Sequence, residues 1–399
     1  MEFLGYERPD GSVGARNYLA VIPAGRCANA LAARIADELG KDEVVALLHN
    51  HGCIYLKPDK ERALRGLTGL GTNPNVAAAI VVGIGCEGVT AQDIAEGIAK
   101  SKKPVEVLTI DKEGDYETVL DKGTRVAKKM LADVTLLKRQ PFDLGHLHLA
   151  IKCGGSDTTS GLACNPANGW VADTIIGQGG SAVFSETAEL IGAEHIMAKR
   201  AADEKTAQRI YEVVSRMEKR VKDAGVDIRG SEPTPGNIQG GLTTLEEKSL
   251  GAIIKSGTTP LRGVLEWGEK LEGKGLYFMD GSANTPQMFL GLAATGAQML
   301  TFGIGGGLPA RFHGAPASSF GGLPILPVLK ILSNPKSAKE KEYFDVYAGT
   351  IIEGQESISE VGERLLKDIV AVASGKPTKM EMFPRYWEVM EFYSTAPVM

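Results

Sequence analysis

Thiol, imidazole and carboxylate side chains recur in this sequence directly after short apolar runs. Cys27 follows the run at 18–22. His49, His51 and Cys53 follow 44–48, and Cys86 and Glu87 follow 78–82. Cys153 and Asp157 follow 147–151, Glu186 and Glu189 follow 181–184, and Asp280 follows 276–279. These side chains bind divalent cations and move protons near neutral pH. In open α/β sheets the crevice at the strand carboxyl ends is the usual ligand site. Six runs of this kind are expected to deliver reactive groups to one edge.

Several of these residues also have plain structural readings. A cysteine at a strand end serves as a small buried residue, and Cys164 fits that class. The Gly-x-Gly at 83–85 lacks both the full dinucleotide pattern and a Walker lysine, so nucleotide binding has little support. His146 and His148 alternate as strand residues do, His195 suits a helix surface, and His313 precedes a Gly-Ala-Pro-Ala loop. Gly154 and Gly155 allow a sharp turn before Ser156 and Ser160, and a helix starting there would direct its positive end at an anion. Thr243 or Thr244 could face the same crevice, or simply cap a helix with Glu246 or Glu247 completing a capping box. Asn237, Gly240 and Gly241 imply a tight loop beside them.

The positioning elements follow from patterning. Short β-branched runs at 18–22, 44–48, 78–82, 105–110, 147–151 and 181–184 read as strands, and 275–279, 299–302 and 325–331 continue the series. Helices are expected at 28–39 and 91–99, a long amphipathic one at 201–224, and another at 357–374. This alternation predicts an α/β fold: mostly parallel sheets flanked by helices, with the active site at strand carboxyl ends. The polar loop at 229–237 suggests two halves, 1–230 and 231–399, forming one catalytic unit. The chain has 399 residues, 43% hydrophobic and 23% charged, with net charge −5, so no basic footprint for nucleic acid is visible. No apolar run suits a membrane span. Five cysteines point to a reducing cytoplasm rather than a disulfide framework.

Longer motifs carry a family resemblance. They are GYERPDGSVGARN at 5–17, GCE at 85–87, CGGSDTTSG at 153–161 with NPANG at 165–169, SETAE at 185–189, PGNIQGGLTTLEEKS at 235–249 and Met279-Asp280. Ala373-Ser-Gly375 and Ala396-Pro397 close the chain in the same manner. In this order the sequence resembles the altronate and galactarate dehydratase family, which includes the large subunit of sulfolactate sulfo-lyase. The resemblance implies a cytoplasmic lyase that removes water or sulfite from a hydroxy acid, aided by a divalent metal, commonly Fe²⁺ or Mn²⁺. It also implies a small N-terminal domain, absent here and so expected as a separate small subunit, and an oligomeric enzyme. Two departures bear on the substrate. The usual His followed by Gly-Cys-Gly reads HNHGCIY at 49–55, and the usual Thr-Thr-Gly-Arg-Gly reads FGIGGG at 302–307, leaving Arg311 or His313 to replace the arginine.

β-Elimination from a hydroxy acid needs stabilisation of an enediolate, a base for the α-proton and help for the leaving group. The candidate metal shell is drawn from Glu87, Asp157, Glu186, His51 and Asp280, with Cys86 and Cys153 as ligands or neighbours. His51 and Lys248 are the candidate bases, with Asp157 and Glu87 also placed in the catalytic group. Ser156, Ser160, Asn165, Asn237, Thr243, Thr244 and Arg311 are the candidate substrate contacts. Three alternatives stand beside a sugar-acid dehydratase. One is a sulfolactate sulfo-lyase. Another is an iron–sulfur dehydratase using Cys27, Cys53, Cys86 and Cys153. The last is a non-catalytic binding subunit.

Overall fold

The computed structural model describes residues 1–53, 56–306, 322–383 and 389–395. Arg311, His313 and Ala396-Pro397 lie outside the described residues. Two parallel sheets organise the chain. Four strands, in spatial order Val44–Ala46, Tyr18–Pro23, Val76–Gly83 and Val105–Thr109, form the first. Seven form the second: Leu261–Leu265, Gly275–Met279, Ser181–Ser185, His148–Gly154, Met299–Ile304, Val328–Leu332 and Val346–Tyr347. Every neighbouring pair in that sheet is parallel. Val13–Gly14, Glu2–Glu7 and Gln140–Asp143 make a small antiparallel sheet. The fold class is the one the alternation predicts.

Strands covered on both faces read as continuous apolar runs, and Val76–Gly83 is buried at every position. Its side chains alternate between two cores. Ile80 and Val82 join Leu31, Ile35 and Val119 from the helices Asn29–Leu39 and Tyr116–Leu136. Ala79 and Val81 face the helices Asp59–Thr72 and Ala91–Ala99. That second core continues into the larger sheet through Ala150, Val183, Leu300 and Phe302, so one apolar layer joins the two sheets. The opposite face of the larger sheet packs on Asn165–Gly177, Glu204–Asp223 and Ile358–Ala373.

The helix Asp59–Thr72 escapes the sequence reading because three glycines interrupt its helical pattern. The structure gives one of them a reason. A β-carbon at Gly69 would stand 2.6 Å from the Ala294 carbonyl oxygen, so only glycine lets this helix meet Thr285–Ala294 between the sheets. The larger sheet takes His148–Gly154 and Ser181–Ser185 from before residue 230 and five strands from after it. Strand pairing thus runs across the polar loop at 229–237. The six strand ends expected at one edge also divide, three to each sheet, because hydrogen-bond partners are chosen by tertiary pairing and not by order along the chain.

Candidate active site

The carboxyl ends of the larger sheet gather a buried ionic network. Lys152 and Cys153 come from the end of His148–Gly154. Glu186 stands directly after Ser181–Ser185 with φ of 84°, a left-handed conformation that costs a residue with a β-carbon. The following turn, Thr187–Leu190, brings in Glu189. Lys255 arrives on the turn Ile254–Ser256, which ends the helix Leu245–Ile253. All five side chains are buried.

The contacts are dense. Lys255 Nζ lies 2.6 Å from Glu189 Oε2, 3.0 Å from Glu186 Oε2 and 3.1 Å from Cys153 Sγ. Lys152 Nζ donates to Glu186 Oε1 at 2.5 Å and to the Cys153 carbonyl at 2.9 Å. Cys153 Sγ is 3.2 Å from Glu189 Oε2. Burial pushes the Cys153 thiol well above its usual range, with Glu189 adding to the effect. Burial also opposes charge on Lys255, but Cys153, Glu189 and Glu186 outweigh it and hold the ammonium well above its ordinary value. For Glu189, burial raises and Lys255 lowers, leaving the carboxyl at about 2.

Cys153, Glu186 and Glu189 offer ligand atoms within 4.8 Å of one another, a group that could hold a metal ion. Lys255 meets all three donors, so an ammonium already stands where the ion would be. Two lysines against two carboxylates and a neutral thiol leave no net negative charge for a divalent cation. In this arrangement the triad does not fit a metal unless Lys255 withdraws.

Beside the network lies a cavity of about 320 Å³, lined by Ser156, Ser160, Asn165 and Lys248 together with Leu162, Leu242 and Leu250. Lys248 connects the two. Burial lowers its basicity, yet Glu189 and Glu232 more than compensate, so its ammonium is held above the ordinary value. It donates to Glu232 Oε2 at 2.5 Å and to Asn237 Oδ1 at 3.2 Å. Asn237 Nδ2 in turn holds the Ser156 carbonyl at 2.8 Å. Asn165 Nδ2 reaches the Gly251 carbonyl at 2.9 Å. The chain winds into a π-helical turn at Ser160–Cys164 before the helix Asn165–Gly177, an irregularity common at functional sites.

The other candidates stand apart. Asp157 also lines the cavity, but its carboxylate is taken up by Thr159 Oγ1 at 2.6 Å, Ser160 N at 3.1 Å and Asn334 Nδ2 at 2.7 Å. Thr244 caps the helix Leu245–Ile253, accepting from Glu247 N at 3.1 Å, and Thr243 Oγ1 donates to Glu247 Oε2 at 2.5 Å. Both hydroxyls serve the helix start, the plainer of the two sequence readings. Asp280 accepts from Thr187 Oγ1 at 2.5 Å and pairs with Arg216 at 2.6 Å.

Glu87, Cys86 and His51 lie at the ends of the smaller sheet. Glu87 accepts the Ile84 and Gly85 N–H groups at 2.5 and 2.9 Å. His51 packs on Phe392 at 5.2 Å between ring centroids, and burial pushes its imidazole down to about 4. Among the described residues, His51, Glu87, Asp157 and Asp280 join no group of three ligand atoms close enough for one ion.

The segment 389–395 links the two regions. Met390 N donates to the Leu48 carbonyl at 2.8 Å, and Phe392 meets both His51 and Trp267. Arg220 Nη1 donates to Tyr393 Oη at 2.5 Å.

Sequence reasoning missed Lys152 and Lys255 as site residues. A signal existed for each: a lysine directly after the apolar run at 147–151, and another directly after the apolar residues at 252–254.

Comparison with known proteins agrees with the motifs. Residues 144–395 match the family model for the C-terminal region of D-galactarate/altronate dehydratase. Residues 5–135 match the model for the second domain of D-galactarate dehydratase/altronate hydrolase. The chain is 37% identical over 382 residues to (2R)-sulfolactate sulfo-lyase subunit beta of Chromohalobacter salexigens, covering 95% of this chain and 94% of that one. It is 31% identical to altronate dehydratase of Escherichia coli, covering 94% of this chain and 74% of the relative. With galactarate dehydratase (L-threo-forming) of the same organism it shares 29% identity, over 99% of this chain and 77% of the relative. These proteins are lyases by name. With both models matched and a 37% identical relative aligned almost end to end, the chain belongs to the D-galactarate/altronate dehydratase family.

Proposed function

We propose that this chain is the large subunit of a cytoplasmic lyase that eliminates a β-substituent from a 2-hydroxy acid to give a 2-oxo acid. The observation that carries the reading is Lys248. It is a charged, largely buried ammonium that lines the Ser156–Asn165 cavity and is coupled to the carboxylates of the buried network. A cation so placed suits a substrate carboxylate, and the Ser156 and Ser160 hydroxyls suit the hydroxyl groups beside it. Its raised basicity favours anchoring over proton abstraction. His51, held neutral, has the free-base form that a proton acceptor needs.

An iron or manganese ion, where one binds, would supply Lewis-acid stabilisation of the enediolate. The proton steps assigned to this chain's own groups do not depend on ligation by the Lys255-filled triad. The five free cysteines are in keeping with a reducing compartment. The name "subunit beta" on the 37% identical relative supports a separate partner subunit.

Water leaving from a sugar acid such as altronate or galactarate is the first reading of the reaction. Sulfite leaving from sulfolactate is the second, favoured by the 37% identity with the sulfo-lyase subunit against 31% with the altronate dehydratase. The test incubates the chain with its small partner and each of the three acids under anaerobic Fe²⁺, measuring 2-oxo acid and sulfite. Oxo acid without sulfite supports the dehydratase, and sulfite with pyruvate supports the sulfo-lyase. No oxo acid from any of the three overturns the proposal.

A further inference from the structure

The ends of the smaller sheet carry three thiols that the network above does not use. Cys27 lies in the turn Arg26–Ala28 after Tyr18–Pro23, Cys53 follows Val44–Ala46, and Cys86 follows Val76–Gly83. These three strands are direct neighbours, so the thiols come from adjacent strand ends. Backbone hydrogen bonds tie the loops together. Arg26 N donates to the His51 carbonyl at 2.8 Å, and Gly88 N to the Cys53 carbonyl at 3.0 Å. A β-carbon at Gly25 would stand 3.0 Å from Glu87 Cγ and 3.8 Å from the Gly52 carbonyl oxygen. Gly25, Gly52 and Glu87 each lie within two residues of a cysteine, so the three loops close on one place.

The thiols are accessible: Cys27 and Cys86 are exposed and Cys53 is half-buried, whereas Cys153 and Cys164 are buried. All are free. Their sulfur atoms do not form a group within 4.8 Å of one another, so they do not make a compact site for one ion. A multinuclear cluster, with its irons between the thiolates, spans a wider triangle. Glu87 is not needed as a ligand, because both of its oxygens already hold the loop backbone.

We propose that Cys27, Cys53 and Cys86 hold a [4Fe–4S] cluster through three of its irons, leaving the fourth open to an oxygen donor of the substrate. Cys153 is not the fourth ligand, since Lys255 and Glu189 occupy its sulfur. The function of the open iron rests on the lyase reading; the cluster does not. In a dehydration such an open iron would supply a Lewis acid for the leaving hydroxide. The C–O bond breaks with its electron pair on oxygen, the α-proton passes to a base, and nothing is oxidised or reduced.

The test is iron and acid-labile sulfide analysis of the full chain with its partner, prepared anaerobically and reconstituted with Fe²⁺ and sulfide. EPR follows dithionite reduction. About four irons and four sulfides per chain are expected. Cys27→Ser, Cys53→Ser and Cys86→Ser should each lose most of both, while Cys164→Ser, buried against the larger sheet, should keep them. Iron bound without acid-labile sulfide overturns the proposal, as does sulfide retained in all three variants. The wild-type analysis decides even if a variant fails to fold. A cluster present without turnover on any hydroxy acid would sink the lyase reading and leave this one standing.

Discussion

Lys255 Nζ stands 3.1 Å from Cys153 Sγ, in the position that an ion shared by Cys153, Glu186 and Glu189 would take. The ammonium supplies the positive charge that an ion there would bring, and its removal should show this. Lys255→Met leaves two buried carboxylates with Lys152 as the direct partner of Glu186 and Lys248 acting through space, which should destabilise the fold by roughly 3–5 kcal/mol. The variant should also gain affinity for a divalent cation. Added Mn²⁺ is expected to raise its melting temperature and not that of the unaltered protein. Equal responses in both would show that Lys255 does not hold the ion's place.

Lys248 is expected to anchor the substrate carboxylate. Lys248→Met should raise KM by about 10–100-fold, the value of a hydrogen bond to a charged group, with a smaller change in kcat. A fall in kcat at unchanged KM would point to proton transfer instead.

Asp157 and Thr244 serve the local fold by geometry. Asp157→Ala removes the acceptor for Thr159, Ser160 and Asn334 and should cost about 1–3 kcal/mol, read from denaturant midpoints. Thr244→Ala should cost about 1 kcal/mol, the usual value of a lost N-cap, with KM unchanged. A marked rise in KM for Thr244→Ala would restore the threonine to the substrate pocket.

Lys330 gives a pH signature of its own. It is fully buried in Val328–Leu332, and burial, only partly offset by Asp345, lowers its ammonium from 10.5 to about 7. Between these values the unfolded chain binds more protons than the folded one, so stability should rise with pH from 7 toward 10.5. The slope contributed is at most about 1.4 kcal/mol per pH unit. Lys330→Met should flatten that rise and be more stable near neutral pH. An unchanged slope in the variant would place its source elsewhere.

Much of this molecule is legible in its sequence. Short β-branched runs and the glycine turns after them give the parallel strands, because a strand buried on both faces must be continuously apolar. The long motifs from Gly5 to Met279-Asp280 give the family. The Ser156–Asn165 segment could be expected to line a cavity because glycines, hydroxyls and a helix start fall together there.

Other features were decided only by the folded chain. Which strand pairs with which is set by packing over long separations, and this split the reactive strand ends between two sheets. It left His51 and Glu87 in one and Glu186 and Asp280 in the other. Lys255 and Cys153 are 102 residues apart, and no local pattern reports that they meet. Asp157 and Thr244 carry the residue types of a binding site, yet backbone geometry directs them to their own helix starts. Residue type and local spacing set what each strand end offers. Tertiary pairing sets which offers face one another, because a buried charge must find its counterion wherever in the chain that lies.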